Sequence, residues 1–272
     1  MSPQEPALDE AARDQLRSTI VAFSDTKLLL GYHYGEWTFG PPAIEAGIAA
    51  CSMAQEEFGH GRLLNGILKR EFDLEVDPLN DTRPPEAFAS IAFLDRPFAS
   101  WADVVAANAV VDQALSLALS AFVDSAWEPM ARVVGKMLME EKFHHAHAEG
   151  WVRLMEGRQG APRDATRESL RRALEDAAAF FGPPDHDARL LEEGLKKRGD
   201  EDLRERLFRR VAGLLDDPSA VGLAAADGAW SLAEPLDWAG WDPIRRRLDP
   251  AGPDQAILDE LRGTKNVAFK TA

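Results

Sequence analysis

Two short stretches, "AQEEFGHGRLL" at 54–64 and "MEEKFHHAHAEGW" at 139–151, restrict the fold more than any other part of the chain. Each sets an acid and a histidine three residues apart: Glu57 with His60, and Glu141 with His144. Ala50, Met53, Leu64 and Ile67 continue the first pair at steps of three and four; Val134, Met137, Ala148 and Trp151 continue the second. Both pairs therefore lie on the apolar stripes of amphipathic helices. A carboxylate facing a core must be protonated, paired or bound to metal. One such pair reads as an ordinary ion pair on a helix face. Two pairs are the signature of bundles that hold a carboxylate-bridged pair of irons or manganese ions, with one further carboxylate from each of two other helices.

The remaining pattern supplies those helices. Helix signals run through most of the chain and no convincing alternation of period two appears, which predicts an all-α fold. Helices are expected over 8–37 and 42–72, separated by "TFGPP", whose Gly-Pro-Pro stops one helix and starts the next. A Pro- and Asp-rich crossover follows, then helices over 101–125 and from the "AWEP" turn to 155. Four long helices with one long connection between the second and third make a ferritin-like four-helix bundle over 1–157. Residues 158–272 are expected to form a helical extension packed on it, with helices over 165–181 and 187–215. The closing stretch with Trp230, Trp238 and Trp241 reads as cladding and an oligomer contact.

Composition narrows the function. With 31 basic and 46 acidic side chains among 272 residues, the net charge of −15 argues against a nucleic-acid surface. Cys51 is the single cysteine, so no disulfide framework or thiolate site is expected, as suits a reducing cytoplasm. Any metal must use oxygen and nitrogen ligands. The stretch "MSPQEPALDEAARDQL" lacks a basic start followed by an apolar run and is not expected to act as a signal peptide. The apolar run 104–123 is interrupted by Asn108, Asp112 and Gln113, which favours a buried helix over a membrane span.

Residues equidistant from the turn of an antiparallel hairpin lie level, because each helix rises about 1.5 Å per residue. Reflecting Glu141 through the turn near Ala126 or Trp127 gives Asp112 or its neighbour, and Asp112 is a carboxylate in an otherwise apolar helix. Reflecting Glu57 through the turn near Gly40 reaches the segment 23–28, which offers Asp25 and Lys27. Glu36 sits too near the turn to be level. His33, His145 and His147 are expected at the surface or behind the ligands.

The segments "DTKLLLGYHYGEW", "AQEEFGHGRLL" and "EEKFHHAHAEGWVRLM" resemble the phenylacetic acid catabolic protein family, the helical catalytic and structural subunits of phenylacetyl-CoA epoxidase, over roughly 10–157. The resemblance implies a ferritin-like bundle and a di-iron centre reduced by a separate reductase. It also implies an aromatic acyl-CoA substrate and assembly with related helical subunits. It carries ligand roles onto Glu57, His60, Asp112, Glu141 and His144, and its first-helix glutamate falls on Lys27. The "LLLG…GEW" run resembles the structural, metal-free member. Two functions are therefore expected: oxygen activation and monooxygenation at iron, or a metal-free scaffold in which Lys27 neutralises the buried carboxylates. The sixth position belongs to Lys27 or Asp25.

Overall fold

The computed structural model describes residues 8–76, 80 and 82–269. Residues 1–7, which open the stretch not expected to act as a signal peptide, and 77–79 and 81 of the crossover lie outside the described residues.

Helix α1 (Glu10–Glu36) begins where the Asp9 carboxylate accepts the Ala12 N–H at 2.7 Å, which satisfies one of the free amides of the first turn. It packs along α2 (Ile44–Phe72), and the Gly40-Pro41-Pro42 turn joins them. Gly47 lies against the carbonyl of Thr38, where any Cβ would collide with the oxygen. The crossover contributes two short 3-10 turns, Pro85–Ala87 and Ala92–Asp95. Helix α3 spans Trp101–Ser120, and α4 spans Glu128–Glu156. The fold is all-α and ferritin-like, with the long connection between α2 and α3 as expected.

By length and composition α3 could cross a membrane, yet all of its apolar window is buried inside the protein. The cause lies in the extension. Helices α5 (Ala161–Phe181) and α7 (Asp200–Ala212) pack on α3 and cover the side that the bundle leaves open. A helix apolar on every side is stable only when covered on every side. Leu170, Leu174, Phe180, Leu203 and Leu207 thereby join Leu16, Ile20, Val104 and Leu115 in one continuous core.

Three local features depart from the sequence reading. The helix expected over 187–215 is two helices, α6 (Ala188–Glu192) and α7. Between them Gly194 adopts φ 68°, and buried Lys196 ties Asp187 and Asp200 together at 2.5 Å each. A hairpin follows, β1 (Leu223–Ala226) against β2 (Ala229–Leu232), turning on Asp227 (φ 52°) and Gly228 (φ 80°). Such Asp-Gly pairs favour two-residue turns with positive φ. Third, residues Ala107–Asp112 of α3 wind as a π-helical turn.

The C-terminal segment returns to the crossover and fastens it. Arg245 donates to the Phe88 carbonyl at 3.0 Å, Asp254 N–H to the Asp95 carbonyl at 2.7 Å, and Arg262 to the carbonyls of Asn80 and Arg83. Arg247 forms a buried ion pair with Asp95. Helix α8 (Gln255–Leu261) inserts Ile257 and Leu258 beneath these contacts. Trp241 donates its indole N–H to the Ala179 carbonyl at 2.8 Å and stands edge-on to His186, so it packs on the extension at the end of α5.

Candidate functional site

Glu57 and His60 project from the stripe of α2 that faces α1 and α4, and Glu141 and His144 from the stripe of α4 that faces α2 and α3. Asp112 ends the π-helical turn of α3. All five are buried, and the structure brings them together. Glu57, Asp112, Glu141 and His144 offer ligand atoms within 4.8 Å of one another, a set that could hold a metal ion.

Lys27 also stands in that set. Its ammonium, fully buried, lies 2.8 Å from Glu57 Oε2, 2.5 Å from Glu141 Oε1 and 3.6 Å from Asp112 Oδ1. Asp25 turns elsewhere: its carboxylate meets Arg83 at 2.5 and 3.0 Å and accepts the Ala89 N–H at 2.9 Å. Of the two candidates for the sixth position, Lys27 faces the cluster and Asp25 anchors the crossover. The two residues lie two apart on α1 and so point to different sides.

The histidines complete a cross-braced arrangement. His144 Nδ1 donates to Asp112 Oδ2 at 2.8 Å, and its Nε2 to Glu56 Oε2 at 2.7 Å. His60 Nε2 donates to Glu140 Oε2 at 2.8 Å, and its Nδ1 lies 3.2 Å from Glu141 Oε1. The acid preceding each Glu-x-x-His pair thus holds the histidine of the opposite helix. Sequence reading missed Glu56 and Glu140, although the doubled acids in "EEFGH" and "EEKFH" are the signal. Such outer partners fix a ring's orientation and protonation.

Three more groups surround the carboxylates. Tyr34 O–H donates to Asp112 Oδ2 at 3.2 Å, and Asn108 Nδ2 approaches the same oxygen at 3.4 Å. His147 Nδ1 donates to Asn108 Oδ1 at 2.9 Å, while its Nε2 accepts the Trp151 N–H at 3.1 Å. His33 lies apart, stacked on Phe98 and bonded to the Leu94 carbonyl at 2.8 Å.

Electrostatics follow from this packing. Burial would lower His144, but Asp112, Glu57 and Glu141 outweigh it and push the imidazole up to about 12. His60 is raised for the same reason, against its own burial, by Glu141 and Glu57. Burial would also lower Lys27, and the three carboxylates raise it. For Asp112, burial would raise the carboxyl, yet Lys27 and His144 hold it well below the usual range. Burial lifts Glu57 above that range, against the pull of Lys27. Lys27 and the two imidazoles thus face the carboxyl groups in one buried charge network, although Glu57 Oε2, Asp112 Oδ1, Glu141 Oε2 and His60 Nδ1 have no hydrogen-bond partner. A pair of irons needs the interior of the donor set and unprotonated imidazoles. With Lys27 in that interior, 2.5 and 2.8 Å from Glu141 and Glu57, and both His144 nitrogens bonded to carboxylates, the residues as placed do not fit a di-iron pair.

Comparison with known proteins gives consistent relatives. Residues 1–230 match the family described as phenylacetic acid catabolic protein. Two different subunits of 1,2-phenylacetyl-CoA epoxidase from Escherichia coli (strain K12) are similar to this chain. One is 22% identical over 187 residues, covering 67% of this chain and 74% of that protein. The other is 26% identical over 224 residues, covering 77% and 71% respectively.

Proposed function

The chain belongs to the phenylacetic acid catabolic protein family, and on that premise we propose that it is a metal-free member of a phenylacetyl-CoA epoxidase-like complex, scaffolding a catalytic relative. One observation carries this: the Lys27 ammonium, 2.5 to 3.6 Å from three buried carboxylates, stands where metal ions would have to sit. A fixed cation neutralises the carboxylates that bound metal otherwise would, so the bundle closes its core without a cofactor. Removing either sign of charge from such a core leaves its partner stranded. The outer faces of α2 and α4 suit the scaffolding role. They expose Ile44, Ile48, Met139 and Phe143, large apolar side chains that a partner could cover. A related helical protein covers that surface in this reading, and the chemistry on an aromatic acyl-CoA, with its separate reductase, belongs to that partner.

Iron content is the test. Protein expressed with added iron is expected to retain none, while Lys27→Glu, which supplies the missing sixth ligand, is expected to gain iron. Two irons per wild-type chain would overturn the proposal. A second reading, oxygen activation at iron in this chain, is favoured by the four-donor set within 4.8 Å. It requires Lys27 to withdraw, so it predicts iron in the wild-type protein and oxygen consumption that His60→Ala with His144→Ala abolishes.

A further inference from the structure

The π-helical turn that carries Asp112 also borders a cavity of about 360 Å³ between α3, α4 and α7, lined by Asn108, Gln113, His145, Arg153, Arg209 and Arg210 among others. Two buried nitrogens of its wall have nothing to bond. Gln113 is only 8% exposed, and its Nε2 has no partner; the buried Nε2 of His145 has none either. Buried polar atoms are paired in the great majority of cases, so the unpaired Gln113 amide N–H and the unpaired His145 nitrogen, which donates when Nε2 carries the proton, point to a missing acceptor. The guanidinium groups differ among themselves. Arg153 is held by Glu149 at 3.0 Å, and Arg209 by Glu205 at 2.6 Å and the Gly228 carbonyl at 2.8 Å. Arg210 has no acidic partner among the described residues, and its charge acts on His145 and on another cation, Arg206.

We propose that this cavity binds a phosphate group, free or as a small phosphomonoester, between Arg210, Gln113 and His145. An oxyanion offers acceptors only, matching a wall that offers unpaired donors. The three groups line the cavity from three different helices, which suits a tetrahedral phosphate better than a planar carboxylate. The volume admits a phosphate on a short carbon skeleton and is near the lower limit for small-molecule sites. The site is independent of whether Lys27 excludes metal.

Calorimetric titration of the full chain, at constant ionic strength in chloride, tests it with three probes: inorganic phosphate, glycerol phosphate and acetate. Saturable binding of inorganic phosphate or glycerol phosphate at one site is expected, with acetate giving none; the tighter of the two identifies the form recognised. Arg210→Glu is expected to weaken binding roughly tenfold or more, whereas Arg132→Glu, remote on α4, leaves it unchanged. Gln113→Leu adds a second signature: it weakens phosphate binding but raises the melting temperature of the ligand-free protein, because an unpaired buried amide has gone. No saturable heat with either phosphate, equal binding by acetate, wild-type affinity in Arg210→Glu, or a lowered melting temperature in Gln113→Leu would each overturn the assignment.

Discussion

At the scale of the residue, Lys27 decides the character of the site, and its removal separates charge from packing. Lys27→Met keeps the bulk of the side chain and strands Glu57, Asp112 and Glu141 in a dry core. The expected loss at pH 7.5 is about 3 to 5 kcal/mol, the cost of breaking a buried ion pair from one side. Their carboxyl groups then titrate higher in the folded than in the unfolded chain, so the variant should recover stability as pH falls to 5.5. Urea unfolding of both proteins at the two pH values measures it. His33 behaves in the opposite sense. Burial pushes it down to about 4 from 6.5, so its share of stability is fully present above 6.5 and is lost as pH falls toward 4. That share is roughly 3 kcal/mol, and His33→Gln should flatten the stability profile over this window. The five sites on α2, α3 and α4 were legible because period and level are properties of sequence spacing. The choice between Lys27 and Asp25 was not, because both lie near the right height and only the packing of α1 fixes which side each faces.

At the scale of the element, the long helices were readable and their irregularities were not. Periodicity located α1, α2 and α4 closely, but nothing in "ANAVVD" distinguishes a π turn from an α turn. Yet that extra residue sets the rotation of Asn108 and Asp112 toward the cluster. The break at 194–199 was hidden by a charge pattern that suits a helix; tertiary pairing of Lys196 with Asp187 and Asp200 overrode it. The outer faces of α2 and α4 make the prediction for this scale. Ile48→Glu with Phe143→Glu should abolish co-purification with a coexpressed catalytic relative. Both side chains are exposed, at 67% and 76%, so the isolated variant should keep its stability within about 0.5 kcal/mol. Co-purification together with a melting curve of the variant alone checks both halves.

At the scale of the whole molecule, the architecture followed from one long connection and four long helices, while the role of the extension did not. Its helices looked like charged surface cladding. In the structure their apolar sides are what lets α3 exist as a helix without a polar face, and its last segment holds the crossover by bonds to main-chain carbonyls, acceptors that no side-chain pattern announces. A chain ending at Asp249 loses the Asp254 and Arg262 contacts together with α8. Thermolysin should then cut it within 82–100, near Phe88 or Phe93, while leaving the full chain intact there; fragment masses read the position.

Those fastenings reverse the order of the chain. The ribosome delivers the crossover well ahead of its clasps, so the nascent bundle carries an unsecured strap until they emerge. Arg262 must clear the exit tunnel before the strap can close. The period of greatest vulnerability to proteases and of greatest need for chaperones is therefore written into translation itself, and a chain cut short before Arg262 would make that passing state permanent.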